Sequence, residues 1–149
     1  MATLRDDPYS AFNFLVSLND GLESELVGGF SDVSGLGFEV SYAEYRNGNE
    51  KFNTVRKVAN TYKVDDVTLK RGLVGSMSLW DWLKSVSSGA HDPRLVVITL
   101  LDEARNSVAS WELRKAQPKK WTGPTFAAKG GGEVAMEELS LVCEDCTFR

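Results

Sequence analysis

The chain is poor in the residues that catalysis and metal binding draw on. It has one histidine and two cysteines in 149 residues. A structural zinc site takes about four nitrogen or sulfur ligands, and His91, Cys143 and Cys146 supply three at most. No serine or cysteine stands in a recognisable nucleophile motif with a base, and there is no phosphate-cradling glycine loop. No enzyme, cofactor or metal is therefore expected. Basic runs are also missing. Arg56-Lys57, Lys70-Arg71, Arg114-Lys115 and Lys119-Lys120 are isolated pairs in a chain of net charge −4, which gives no stripe for sequence-specific nucleic-acid binding. The longest apolar run, 95–101, includes Thr99 and falls far short of the ~20 residues that span a bilayer. The first residues, Met-Ala-Thr-Leu-Arg-Asp-Asp-Pro, lack a basic segment followed by an apolar one. The expectation is a protein made in the cytoplasm without a signal peptide, released if at all by a route such as lysis, and not inserted in a membrane.

What is present reads as one mainly β domain over residues 1–149. The hydrophobic fraction of 42% and charged fraction of 26% are ordinary for a soluble globular chain. A chain of this length buries about 68–70% of its unfolded surface and needs no covalent staple. Phe12, Phe14, Val16 and Leu18 alternate with more polar neighbours and predict a strand. Asn19-Asp20-Gly21 is hairpin chemistry, and a second extended segment covers 23–33. Phe38, Val40 and Tyr42 mark a further strand. A long polar segment, 47–60, follows. Its Phe52, Val55 and Val58 leave two readings open: a floppy hairpin tip, or an arm lying across another chain.

Tyr62 to Arg71 reads as one strand whose apolar phase breaks at Asp65-Asp66. Val134 to Leu141 breaks likewise at Glu137-Glu138. Each break implies a bulge or a change of face. Adjacent strand residues point to opposite faces, so neither acidic pair is expected to converge on a catalytic or metal centre. The helix is predicted over 77–87, with Leu79, Trp82, Leu83 and Val86 on one face. Ser76 or Ser78 is its expected cap, Ser78 in a box with Asp81, and Gly89 its stop. Residues 95–101 predict a strand buried on both faces, 102–107 a turn, and 108–115 a strand with Trp111 and Leu113 inward. Pro118 and Pro124 make 117–124 a stiff turn that Trp121 anchors to the body. Cys143 and Cys146 end the last strand, where spacing i, i+3 would set them on opposite faces. Two reduced thiols are expected there. The sum is two antiparallel sheets forming a small β-barrel or sandwich, flanked by one α-helix. Such a fold has free strand edges, which must be blunted or will pair with other chains.

An ordered series of short motifs carries a resemblance. It runs Phe12-Asn13-Phe14, Ser31-Asp32-Val33-Ser34-Gly35-Leu36, Glu44-Tyr45-Arg46-Asn47-Gly48, Leu69-Lys70-Arg71-Gly72 and Leu79-Trp80-Asp81-Trp82. Trp111, Pro118-Lys119-Lys120-Trp121-Thr122-Gly123-Pro124 and residues 133–141 complete it. Across nearly the whole chain this resembles the inner-tube proteins of contractile tails, those of T4-like phages and of extracellular contractile injection systems. The resemblance implies hexameric rings that stack into a hollow conduit for DNA or protein cargo inside a sheath. It implies as partners the sheath protein, the baseplate or spike hub, and tape-measure or cargo proteins. It maps 46–60 onto the family's long hairpin, which reaches a neighbouring subunit or ring. Arg46, Asn47, Lys51, Phe52, Val55, Arg56 and Lys57 are then interface candidates, with Glu137 and Glu138 as wall or interface charges. Cys-Glu-Asp-Cys is not part of the family pattern. The alternatives are a tube-like adaptor at the baseplate hub, or a monomeric β-barrel with a ligand between Trp80, Trp111 and Trp121.

Overall fold

The computed structural model describes residues 7–11, 13–18, 30–73, 77–130 and 134–149. The elements there, in chain order, are β1 (Phe14–Ser17), β2 (Asp32–Ser34), β3 (Phe38–Tyr45), β4 (Arg56–Val64), β5 (Val67–Gly72), α1 (Ser78–Ser87), β6 (Arg94–Leu101), β7 (Ser107–Thr122), β8 (Met136–Val142) and β9 (Asp145–Phe148). The expected hairpin at Asn19-Asp20-Gly21, Phe12, Ser76 and most of 23–33 lie outside the described residues.

β7 joins the two halves of the main sheet. Its first part pairs with β6 and β9, and its last part with β8. The order is β1-β6-β7-β8-β5-β2, every pairing antiparallel. β1 and β2 remain its two outer strands among the described residues, so the expected barrel is not closed. A second sheet is the hairpin β3–β4 alone. The strand 108–115 does not yield to a turn at 117. β7 continues through Pro118, which is buried opposite Leu141 at an irregularity in the β7–β8 register. Proline is tolerated at such a bulge because the ladder bond it cannot donate is already interrupted there.

The core lies between the halves of the bent sheet and α1. Val67, Leu69, Val96, Leu113, Leu139 and Leu141 are fully buried in it, and Leu79 and Trp82 enter from the helix. Each such side chain contributes about 1.5–3 kcal/mol by leaving water. The helix has the expected inward face, with Val86 packed at its edge. Its N-cap is Met77, which makes no side-chain cap bond, so the Ser78–Asp81 box does not form. Gly89 does stop it, at φ +101°, a conformation that costs glycine nothing. β6 alternates between buried and half-buried positions instead of being covered equally on both faces.

The two expected phase breaks have a different origin. At Asp65-Asp66 one strand ends and another begins: β4 belongs to the hairpin and β5 to the main sheet. In β8 there is no break. Glu137, Leu139 and Leu141 share one buried phase, and Val134 lies before the strand. β5 does the same with Val67, Leu69 and Arg71. Arg71 and Glu137 are register partners and form a buried ion pair. Cys143 and Cys146 also depart from expectation. The chain bends at Glu144, and both cysteines pack against the same core.

Candidate assembly surface

The hairpin β3–β4 exposes what the main sheet hides. Eight of the sixteen large hydrophobic side chains exposed among the described residues fall within 38–64: Phe38, Val40, Tyr42, Tyr45, Phe52, Val55, Val58 and Tyr62. Register explains the arrangement. Phe38 opposes Val64, and Val40 opposes Tyr62. A bulge then shifts the pairing, so that Tyr42 opposes Ala59. One face therefore carries Phe38, Val40, Tyr42 and Tyr62, with the Phe38 and Tyr62 rings stacked at 5.4 Å. An isolated two-stranded ribbon is marginally stable in water, and an apolar strip this long is a candidate interaction surface.

The tip, 46–55, is organised by one side chain. Arg46 donates from Nε to the Phe52 carbonyl (3.1 Å), and from Nη2 to the Glu50 carbonyl (3.2 Å) and Asn53 Oδ1 (3.3 Å). Tyr45 donates its hydroxyl to Asn47, and the Glu50 N–H reaches the Asn47 carbonyl at 3.2 Å. Arg56 bridges to Glu50 at 3.0 Å. These bonds leave Phe52 78% exposed, the most exposed hydrophobic side chain of the hairpin. Lys51 and Val55 are exposed beside it. Lys57 pairs across the ladder with Glu44, and its hydrogen bond and charge hold the Glu44 carboxyl below the ordinary value. Of the seven hairpin candidates, Arg46 and Asn47 thus shape the tip, Phe52 and Val55 present apolar surface, and Lys51, Arg56 and Lys57 surround them with charge.

Glu137 and Glu138 are not part of this surface. They lie on β8 of the main sheet. Glu137 is 2% exposed, and its carboxylate is occupied by Arg71 and by Trp121 Nε1, which donates at 3.1 Å. Its side chain is thus spent within its own chain, in place of standing on the surface. Glu138 points the other way. With Asp32, Lys70, Thr122 and Thr125 it lines an open, polar depression of about 350 Å³. Asp32, Lys70, Glu138 and Thr122 are successive register partners there, a row of alternating charge.

The three tryptophans of the ligand-site alternative do not converge. Trp80 and Trp121 meet edge to face at 5.0 Å, and Trp111 packs on Phe148 at 5.1 Å. Trp121 is thereby anchored, as its sequence context suggested. No group of three or more metal-ligating side chains occurs among the described residues. No helix among them is long and apolar enough to cross a membrane.

Sequence reasoning missed the Arg71–Glu137 pair. The signal was available in each strand separately, as a charge in the inward phase. It was unreadable without the pairing of β5 with β8, which brings together residues 66 positions apart.

The model of the T4-like virus tail tube protein gp19 family matches residues 10–147. Among solved structures, the chain is similar to one in the extended sheath–tube complex of the PVC extracellular contractile injection system. Identity there is 26%, over 95% of this chain and 91% of the other, with a TM-score of 0.83. It is similar also to a chain of the extended PVC sheath/tube terminator, at 25% identity over 97% and 98% of the two chains, TM-score 0.85. A chain of the anti-feeding prophage cap shares the fold, with a TM-score of 0.85 and 24% identity over 100% and 95% of the two chains. No curated protein matches. With its exposed apolar hairpin and a family match over nearly its whole length, the chain belongs to the T4-like virus tail tube protein family and is a structural tube subunit.

Proposed function

We propose that residues 1–149 form one tail-tube domain that assembles into hexameric rings, and that the rings stack into a conduit for DNA or protein cargo. A sheath protein outside and a baseplate or spike hub at the end are the partners of that tube. Tape-measure or cargo proteins occupy its lumen. The subunit leaves the cell as part of a particle. The observation that carries this reading is the hairpin. Among the described residues it holds half of the exposed large hydrophobic side chains, and its two strands pair there only with each other. Covering that face with a second copy removes the apolar strip from water. It also gives the edges of β3 and β4 strands to pair with, which is how a ring of sheets abolishes its edges. Phe52 and Val55 are the anchors, Lys51, Arg56 and Lys57 orient the contact, and Arg46 and Asn47 hold the tip in shape before it docks. Glu138 is a wall charge in this arrangement.

Deleting 48–58 tests the reading. The main sheet makes no use of that segment, so the variant should keep its circular dichroism and unfold cooperatively. Sedimentation should show it arrested as a monomer at concentrations where the parent protein forms rings or longer species. A deletion variant that still assembles would remove the hairpin from the contact. A second reading, a terminating or initiating ring in place of the repeated shaft ring, is supported by the similarity to the PVC sheath/tube terminator. A shaft subunit polymerises to indefinite length, whereas a terminator stops after a ring or two.

A further inference from the structure

The corner between β8 and β9 holds both cysteines of the chain, and the tube reading makes no use of them. In a straight strand Cys143 and Cys146 would face opposite sides. Both strands at this corner are bent. Gln117 pairs with Val142, and Arg114 pairs with Asp145, which leaves two residues on each strand between those partners. On β7 the chain turns at Lys115, with φ 51°. Opposite it the chain bends at Glu144, whose N–H donates to the Arg114 carbonyl at 3.1 Å. The double bend turns residues three apart to the same side. Leu113 and Ala116 are both fully buried, and across from them Cys143 and Cys146 both pack on the same core. Both thiols stay half-buried, so a small reagent can reach them. Burial lifts the Cys143 thiol to about 11, and the charge of Cys146 adds to the rise, followed by Asp66 and Asp145. Burial and Asp145 raise Cys146 as well.

We propose that Cys143 and Cys146 form a dithiol pair that closes an intrachain disulfide on reaction with a small-molecule disulfide, tying β9 to β8. Closure requires Cα atoms about 4.4–6.8 Å apart. Three residues of straight strand span roughly 10 Å, and the bend at Glu144 makes the span between Cys143 and Cys146 shorter than that. The step balances. Cys146 gives its proton to solvent, and its thiolate attacks one sulfur of the small disulfide, whose other half leaves as a thiolate. Cys143, deprotonated in turn, attacks the Cys146 sulfur of the mixed disulfide and expels the second small thiolate. Two protein thiols are oxidised, one small disulfide is reduced to two thiols, and the two protons end on those thiols.

The thiolate is the reacting form, and with raised pKa values little of it exists at neutral pH. Closure is therefore slow, and quickens about tenfold per pH unit below the thiol pKa. The pair stays open where thiols are kept reduced and closes in an oxidising medium. Closing it secures β9, which is bordered by β7 and held at its end by the Arg149–Glu112 bridge of 3.3 Å.

The experiment uses the full chain with oxidised glutathione at pH 7 and pH 8, in the absence of assembly partners. Samples are quenched in acid, alkylated after denaturation, digested and read by mass spectrometry. Both thiols should disappear together into one peptide linking Cys143 to Cys146. The rate should rise about tenfold between the two pH values, and dithiothreitol should restore both thiols. Cys146→Ser should leave Cys143 either free or capped by glutathione. Hydrogen exchange in 145–148 should slow on closure. Thiols that remain free, glutathione that stays on Cys146 without resolution, or interchain dimers as the sole product would each overturn the proposal. None of these outcomes depends on whether the chain forms tubes.

Discussion

Replacing Glu137 by leucine should be among the most damaging single substitutions in this chain. Its partner explains why. The Arg71 and Glu137 side chains are 2% and 3% exposed, so neither charge has water to fall back on. Arg71 also lies under the Phe30 ring, 5.7 Å from its centroid, within an apolar setting. Removing one member of such a pair leaves the other charge buried, at a cost of about 3–5 kcal/mol. The Trp121 Nε1–H also loses its acceptor, but Trp121 is half-buried and can turn that donor toward water. Against a total stability of ~5–15 kcal/mol for a domain, the loss is large. At roughly 2–4 °C per kcal/mol for a chain of this size, the midpoint should fall by about 6–20 °C. The double variant Arg71→Met/Glu137→Leu removes both charges and fills the space with apolar atoms. It should recover most of the loss, since apolar replacements of whole buried pairs are often neutral or stabilising. Urea unfolding followed by tryptophan fluorescence, at dilutions below assembly, measures all four corners of the cycle. A coupling energy above about 2 kcal/mol is expected. Simple additivity, with the double variant as unstable as the two singles summed, would refute the argument that the pair is a buried unit.

Three further outcomes follow from the geometry. Gly35→Ala should destabilise by about 1–3 kcal/mol, because Gly35 sits at φ +88° and a Cβ there would lie 2.1 Å from the Asp66 carbonyl oxygen; an unchanged urea midpoint would contradict this. Trp82→Phe should cost ~1–3 kcal/mol, since Nε1 donates to the Asp92 carbonyl at 2.9 Å and Arg94 lies 4.6 Å over the ring; a loss under a few tenths would show that neither contact matters. Phe52→Ser should leave the urea midpoint unchanged while raising the concentration needed for assembly at least tenfold, measured by light scattering; a lowered midpoint with unaltered assembly would reverse the assignment of Phe52.

The parts of the fold legible in the sequence were those set by local periodicity. The helix face of Leu79, Trp82 and Val86 followed from spacing, and the Gly89 stop from the conformational freedom of glycine. The inward turn of Leu113 and the strand through Val40 followed from alternation. What was not legible depended on pairing over long distances. Pro118 read as a turn because proline interrupts ladders, and only the irregular register with β8 shows how one ladder accommodates it. Glu137 read as a wall or interface charge because a lone charge is expelled from a core, and only its pairing with Arg71 shows how the core holds it. Cys143 and Cys146 read as facing apart because a straight strand would hold them so, and the bend at Glu144 depends on the matching turn at Lys115. In the candidate surface, the polarity of 47–60 marked a long segment outside the regular strands. The extent of the apolar face, from Phe38 to Tyr62, became visible only once the hairpin was found apart from the main sheet. The family resemblance, carried by short motifs in fixed order, was readable in full and agrees with the family match over 10–147.

The central claim is that this chain is a tube subunit whose hairpin closes rings. Electron microscopy of the purified full-length protein at high concentration, with and without a tube-nucleating hub, tests it most directly. The account predicts hollow rings with sixfold symmetry that stack into tubes, and a reconstruction in which residues 38–64 of each copy lie against another copy. A protein that remains a monodisperse monomer under both conditions, or tubes whose hairpins touch only solvent, would contradict it.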